Sequence, residues 1–130
     1  LVGTHNFTAS SGNTFKIALF TSSASLGAST TAYSTSNEIS NTSGSAYSAG
    51  GATLTSVTPV LDSSTAVCDF ADVSFSSASF TANGALIYNS SQSDKAVAVI
   101  AFGGDKTVTS GTFTIQFPAA DASNAIIRIA

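Results

Sequence analysis

The sequence predicts an all-β protein: a two-sheet antiparallel sandwich, jelly-roll-like, with about eight strands. Serine and threonine make up about a third of the 130 residues, while charged residues are only 8%. The polar residues alternate with large apolar ones, most clearly at residues 112–117, so such a strand has one apolar face and one hydroxyl face. Turn residues separate several short segments of this kind, which is typical of sandwiches and barrels.

The first predicted strand covers residues 14–20 and places Phe15, Ile17 and Leu19 on one face. Further strands are predicted at residues 52–61, 66–70, 73–75, 80–88, 95–102, 111–117 and 125–129. Polar turns separate them, as at residues 62–64, where Asp and Ser side chains bond locally to the backbone, and at residues 89–94.

Individual residues refine these strands. Pro59 indicates a sheet edge or a bulge, because proline cannot donate to a strand ladder. Gly84 indicates a bulge or a close backbone approach. The nearly continuous apolar run at residues 95–102 predicts a central strand that is buried on both faces. The dipeptide Gly103-Gly104 is expected to turn the chain after that strand.

The chain is predicted to contain an N-terminal arm and one domain. Residues 1–13 are polar and form the arm, while residues 14–130 form a single β-sandwich with a long Ser/Thr-rich loop at 21–51. Within that loop, residues 30–39 fit either a short helix or pieces of strand. A loop of this length is usually functional or ordered by a partner, so we expect it to contribute to an interface.

Charge and hydropathy exclude several partners. The net charge is −3, and the four basic residues are scattered instead of forming a stripe that could follow phosphates, so we expect no nucleic acid. The longest apolar run is strand-sized and far short of the roughly 20 residues that a membrane helix needs, so we expect no membrane partner.

The residues that carry most enzyme chemistry are rare. Cys68 is the single cysteine and His5 the single histidine, so a Cys–His nucleophile and a soft-ligand metal site are both unexpected. We predict no cofactor and no metal, and a buried, inert thiol at Cys68. Asp69 and Asp72 could form a carboxylate pair for calcium or for glycoside hydrolysis, although turn chemistry is the favoured explanation of both.

Glu38 is the only glutamate and lies in the Ser/Thr-rich loop. Two interpretations of it stay open. A buried carboxylate that accepts hydrogen bonds from loop amides would stabilise the loop, since charge-assisted hydrogen bonds are the stronger kind. The alternative is a solvated carboxylate at the surface of the loop.

Several motifs between residues 14 and 117 resemble those of one family. They are the strand that begins Phe15-Lys-Ile-Ala-Leu-Phe, the segment Asn37-Glu-Ile, the tyrosine and glycines from Tyr47 to Gly51, and Ala85-Leu-Ile-Tyr-Asn with the Gly-bounded strand at residues 98–103. In this order they resemble the small β-rich virion proteins of tailed bacteriophages and prophages. The glycine that usually precedes the tyrosine is replaced here by Ala46.

The resemblance implies a non-enzymatic structural role in a phage particle. We expect a capsid decoration (cement) protein on the outer surface of the virion, trimeric, and bound at junctions between subunits of the major capsid protein. The expected assembly interface lies in the arm and the long loop and includes six residues: Val2, His5, Phe7, Tyr33, Glu38 and Tyr47.

Two alternatives remain. A tail, baseplate or fibre component could contact the host surface or its glycans, with Tyr33, Tyr47 and Tyr88 stacking on sugars. A small carbohydrate-active enzyme could use Asp69 and Asp72.

Overall fold

The protein is all-β and contains two antiparallel sheets. A computed structural model describes residues 4–40 and 46–130, and these contain no helix. The strands are β1 (Phe15–Phe20), β2 (Ala52–Thr53), β3 (Ser56–Asp62), β4 (Thr65–Phe70), β5 (Val73–Asn89), β6 (Lys95–Ile115) and β7 (Ile127–Ile129). One sheet has the order β2-β1-β5-β6 and the other the order β3-β4-β7. The prediction of an all-β, two-sheet antiparallel protein is confirmed.

The structure has seven strands where about eight were expected, because neighbouring predictions merge or divide. The predicted strand at residues 52–61 divides into β2 and β3. The predicted strands at 73–75 and 80–88 join into β5, because a register shift after Phe75 absorbs the serines between them. One of these, Ser77, adopts a positive φ of 51°.

The strands predicted at 95–102 and 111–117 also join, giving the 21-residue β6. The expected turn at Gly103-Gly104 is therefore wrong. Both glycines have positive φ, and the chain bulges there without leaving the strand. The expectation of a central strand at 95–102 is wrong as well, since β6 is the last strand of its sheet and none of its residues is fully buried.

The long β5–β6 hairpin bends sharply at this bulge. Ala82 pairs with Lys106 and Gly84 with Ala101, so two steps along β5 match five steps along β6. The bend brings the rings of Phe102 and Phe113 to 6.1 Å. A straight strand would separate their Cα atoms by roughly 36 Å. The hairpin therefore folds back and contributes to two layers.

We call the two arms of this hairpin the near half and the far half. The near half comprises residues 84–89 paired with 95–101, and β1 pairs with it on the other side of β5. The far half comprises residues 73–82 paired with 106–115. The bulge or close approach predicted at Gly84 is confirmed, because a Cβ there would lie 2.9 Å from the Ile100 carbonyl oxygen.

The hydrophobic core lies between these layers. Its buried members include Phe15, Ile17 and Leu19 from β1, Ala85 and Ile87 from the near half, and Phe75, Ala78, Phe80 and Ala82 from the far half. A second cluster covers the opposite face of the near half, where Phe20, Leu86 and Tyr88 pack against Leu26 and Tyr33 of the Ser/Thr-rich segment. The near half is thus covered on both faces, since residues 85–89 are all buried.

The hydroxyl face that the sequence predicts is present on the far half. Ser74 and Thr114 join their side chains across the strands at 2.9 Å, and Thr81 and Thr107 do so at 2.8 Å. Their neighbours on the opposite face, such as Phe75 and Phe113, face the core. Period-two alternation thus sorts hydroxyls outward and aromatic rings inward.

The second sheet shows the edge features that its sequence predicts. The β3–β4 ladder shifts register between Val57 and Val60, on either side of Pro59, and β3 is an edge strand. The turn after Asp62 is present, and Ser63 adopts a positive φ of 55° within it.

Candidate assembly surfaces

Three elements of the Ser/Thr-rich segment meet at the Glu38 carboxylate. The Tyr33 hydroxyl donates to Glu38 Oε2 at 2.6 Å. The Tyr47 hydroxyl and the Gly50 N–H donate to Oε1 at 2.5 and 2.8 Å. One half-buried carboxylate therefore holds two side chains and a backbone amide that lie up to 12 residues away in sequence.

The same tyrosines fasten the segment to the sheet. Tyr47 is fully buried, and its hydroxyl accepts the Leu19 N–H of β1 at 2.9 Å. The Tyr88 hydroxyl donates to the Gly50 carbonyl at 2.7 Å. The rings of Tyr33 and Tyr88 stack at 4.5 Å between centroids. The Glu38 cluster, meaning Glu38, Tyr33, Tyr47, Tyr88 and Gly50, thus ties the segment to the near half.

The phenols of this cluster remain hydrogen-bond donors at any ordinary pH. Burial, helped by the hydrogen bond to Glu38, raises the pKa of Tyr33 and of Tyr47 well above the usual tyrosine range. Burial raises the pKa of Tyr88 to about 12, and the charges of Asp94 and Glu38 add to this. Neutral phenols keep the protons that the carboxylate and the Gly50 carbonyl accept.

The cluster decides between the two interpretations of Glu38. It accepts a loop amide and two phenols, so it is the bonded carboxylate and not the solvated one. In the described residues 21–40 and 46–51, contacts within the chain hold the segment, and the expectation that it contributes to an interface stays a prediction. Isolated bridges also attach this segment, Phe20 to Glu38 and Ala32 to Lys95, and the helix considered at 30–39 is not formed.

Residues 4–13 also lie against the domain. Phe7 stacks on Phe15 with ring centroids 4.6 Å apart. His5 Nδ1 lies 3.0 Å from Asn89 Nδ2, and the same amide nitrogen donates to Asn13 Oδ1 at 2.9 Å. Burial, with the charge of Lys95, lowers the pKa of His5. The neutral imidazole then accepts the amide hydrogen.

Five of the six residues predicted as an assembly interface therefore fall into two intramolecular sites. His5 and Phe7 contact the start of the sheet, and Tyr33, Glu38 and Tyr47 belong to the Glu38 cluster. Val2 lies outside the described residues. Because Tyr47 has no exposed surface, any effect on assembly would act through the shape of the loop that it holds.

The exposed apolar surface lies elsewhere, on the β3-β4-β7 sheet. Leu61, Ala66 and Ile129 are directly opposite one another across the three strands, so their side chains share one face. Leu61 is 70% exposed and Ile129 47%. Sequence reasoning missed this face, although the run Val57 to Leu61, with apolar residues on both faces of the strand, was its visible signal.

A second open surface follows the free side of β6. An apolar groove of about 430 Å³ lies there between the two layers and is lined by Ile100, Phe102, Phe113 and Ile115, with Lys106 among the lining residues. These apolar side chains point toward the core but remain half-exposed. The sandwich is therefore closed by packing on its β1 side and open on its β6 side.

The residues considered for catalysis and sugar binding have other contacts. Asp72 Oδ1 accepts the Phe117 N–H at 2.8 Å, while Asp69 Oδ1 is buried without a hydrogen-bond partner in the described chain. Burial raises the pKa of the half-buried Cys68 thiol. Tyr47 and Tyr88 are buried, so the suggestion that all three tyrosines stack on sugars is wrong.

No group of three or more His, Cys, Asp or Glu side chains is arranged to hold a metal ion in residues 4–40 and 46–130. The same part of the chain has no helix long and apolar enough to cross a membrane.

Comparisons with known proteins leave the family open. No protein-family model, no curated protein and no solved structure matches this chain.

Proposed function

We propose that this chain is a structural protein of a tailed-phage particle that decorates the outer surface of the capsid. It binds at junctions between subunits of the major capsid protein and stabilises the shell. The observation that carries the proposal is the exposed apolar row of Leu61, Ala66 and Ile129 on the β3-β4-β7 sheet, which the described residues leave uncovered. The motif resemblance between residues 14 and 117 supplies the class of particle.

The physical argument starts from Leu61. A large apolar side chain that is 70% exposed, in a row with Ala66 and Ile129, leaves apolar surface in contact with water. Contiguous apolar surface of this kind usually marks an interaction site. Covering it would bury apolar area at about 25 cal/mol per Å². Many identical copies on a shell would multiply a modest individual affinity.

The low charge of the chain supports the same function. Only 8% of its residues are charged, and the hydroxyl face of the far half is uncharged. Such a surface has weak long-range electrostatics, so contact with a shell would depend on shape and apolar burial instead of ion pairs.

The direct test is the copy number and location of the chain in purified particles. We expect it in a fixed ratio to the major capsid protein, with antibody labels distributed over the head. Absence from particles, or labels confined to the tail tip, would contradict the proposal, and the second outcome would favour the tail alternative.

A matched pair of variants tests the surface. Leu61→Lys places a charge in the apolar row, whereas Ser64→Lys places the same charge on an exposed turn residue three positions away. We expect Leu61→Lys to lose binding to undecorated capsids and Ser64→Lys to keep it. Equal binding by both variants would show that this face does not contact the shell.

A further inference from the structure

The far half of the hairpin leaves one edge of β6 unpaired. In the order β2-β1-β5-β6, β6 has a strand neighbour on one side alone. At its beginning, the other side is partly covered, since Ala96 N–H donates to the Thr31 carbonyl and Ala32 forms a bridge with Lys95. No described segment hydrogen-bonds in this way to residues 111–115. Their outward N–H and C=O groups are left to water.

This edge lacks the charges and prolines that usually prevent strand pairing, and the register shift between Phe113 and Gly111 has its extra residue on β5, not on β6. Natural edges carry charges, prolines or bulges that block another strand. The β3 edge has Pro59 and a register shift beside it. In contrast, the ladder from Gly111 to Ile115 contains neither proline nor charge, and its pairing from Phe113 to Ile115 is regular. Of the β3 and β6 edges, the β6 edge is therefore the one better suited to pair with another strand.

The apolar side chains of residues 111–115 are only partly covered by the rest of the described chain. Phe113 and Ile115 line the open groove with Ile100 and Phe102 and remain half-exposed. A strand added beside residues 111–115 would place its own inward side chains at the mouth of this groove. Backbone pairing and apolar burial would therefore be gained together.

We propose that the occupant is a second copy of this chain, paired antiparallel through residues 111–115 about a two-fold axis at Phe113. In this register Gly111 lies opposite Ile115 of the other copy, and Thr112 lies opposite Thr114. Each copy supplies the strand that the other lacks, so both edges are satisfied in one isologous interface. The two Phe113 rings meet at the axis on the groove side.

The absence of charge around Phe113 allows a second copy to pair there. Across a two-fold axis, a charged residue near the axis faces its own like charge, which is destabilising. The sequence from Thr107 to Ala120 contains no charged residue, although Lys106 and Asp121 flank it directly. The charge-free stretch is thus centred close to the proposed axis. Pairing of this kind closes on two copies, so it replaces the trimer that the motif resemblance implies by a dimer.

The inference does not rest on the proposed function, because self-pairing is a property of the isolated chain. It is tested by sedimentation velocity of the purified protein over a dilution series. Thr112→Lys puts like charges roughly 7–8 Å apart across the axis. We expect it to raise the dimer dissociation constant roughly tenfold. Thr58→Lys adds the same charge to the exposed β3 edge and should leave the constant unchanged.

Mixing gives the sharpest arm of the experiment. Thr112→Glu should weaken its own dimer as Thr112→Lys does, while an equimolar mixture of the two should form dimers at least as tight as wild type. This rescue also guards against misfolding, since a variant that lost its fold could not be rescued by the other. A monomeric or trimeric wild-type chain would overturn the proposal, as would a dimer that responds equally to Thr112→Lys and Thr58→Lys.

Discussion

The near and far halves of the β5–β6 hairpin come from the same two strands but have different surroundings. In the near half, β1 pairs with β5 and the Ser/Thr-rich segment covers the outer face, so residues 85–89 are all buried. In the far half, the outer face is a row of hydroxyls, and the β6 edge faces solvent. The near half is covered by other segments of the same chain, whereas the far half keeps an unpaired strand edge, at which we propose that a second copy binds.

The difference shows what a hydroxyl-rich sequence needs in order to be ordered. Alternation of apolar and hydroxyl residues characterises the ladder of the far half, whereas the ladder of the near half pairs nearly continuous apolar runs. The additional layer over the near half depends on a few larger groups, namely the Glu38 carboxylate and the rings of Tyr33 and Tyr88. Where the chain has no such anchors, as over Ser74 and Thr114, the hydroxyl face stays uncovered.

The largest expected effect comes from Gly51, which closes the segment against β1. It has a φ of +74°, and a Cβ there would lie 1.8 Å from the Ile17 carbonyl oxygen. We expect Gly51→Ala to lower the free energy of unfolding by about 3 kcal/mol or more. The new Cβ would force the Ile17 backbone to move, and alanine would also be strained at this positive φ. Urea denaturation measures this.

The matched control is Gly103→Ala, at the bend between the two halves. Gly103 has a similar φ of +73°, but nothing lies within 4 Å of its would-be Cβ. Its cost should be about 1 kcal/mol, from the left-handed backbone alone. Equal losses for the two variants would show that the close approach at Gly51 does not matter.

Removal of the Glu38 carboxylate should cause the second-largest loss in the free energy of unfolding. Glu38→Ala leaves the Tyr33 and Tyr47 hydroxyls and the Gly50 N–H without their acceptor. We expect a loss of about 2 kcal/mol, the usual cost of orphaned polar groups when some regain water. Hydrogen exchange should accelerate in residues 21–40 but not in 106–115. Equal acceleration in both would contradict a role limited to the near half.

Hydroxyls should be worth less in the far half than in the near half. Tyr33→Phe removes one donor from Glu38 and should cost about 1 kcal/mol. The double change of Ser74→Ala with Thr114→Val removes a complete cross-strand pair at the exposed face, and we expect about 0.5 kcal/mol or less. Thermal unfolding of the variants compares them, and the reverse order would contradict the account.

The smallest effect concerns pH. The folded pKa of His5 is lowered, so the unfolded chain binds the proton more readily. The contribution of His5 is therefore present above its unfolded pKa of 6.5 and is lost as the pH falls below that value toward the folded pKa. His5→Gln should flatten the pH dependence of stability between about pH 7 and 5.5. An unchanged slope would contradict the lowering of the His5 pKa by burial.

The sequence was sufficient for the position of most strands and for the facing of side chains where polar and apolar residues alternate, but not for the burial of residues 95–102. Alternation at residues 112–117 predicted which side chains face inward, and Pro59 and Gly84 marked real irregularities. It was not sufficient to show that β6 is one continuous strand, because a Gly-Gly pair is compatible both with a turn and with a bulge inside a strand. The choice depends on whether the flanking strands keep pairing, which is a tertiary matter.

The site was harder to predict than the fold. Glu38 stood out as the only glutamate, but its partners Tyr33, Tyr47 and Gly50 could be assigned only once the segment was folded onto the near half. The apolar row of Leu61, Ala66 and Ile129 joins three strands, so the local apolar run from Val57 to Leu61 could reveal only the Leu61 end of it. Whether a side chain is exposed depends on which segments pack against its strand in the fold, and the sequence does not show which strand faces stay uncovered.

Hydrogen exchange of the wild-type chain at low and high protein concentration tests the contrast between the halves most directly. Pairing through the far half predicts that peptides spanning residues 106–117 become more protected as concentration rises, while those spanning 84–89 and β1 do not change. Two results would contradict the account: protection in residues 106–117 that does not change with protein concentration, or protection that rises with concentration along β3 instead.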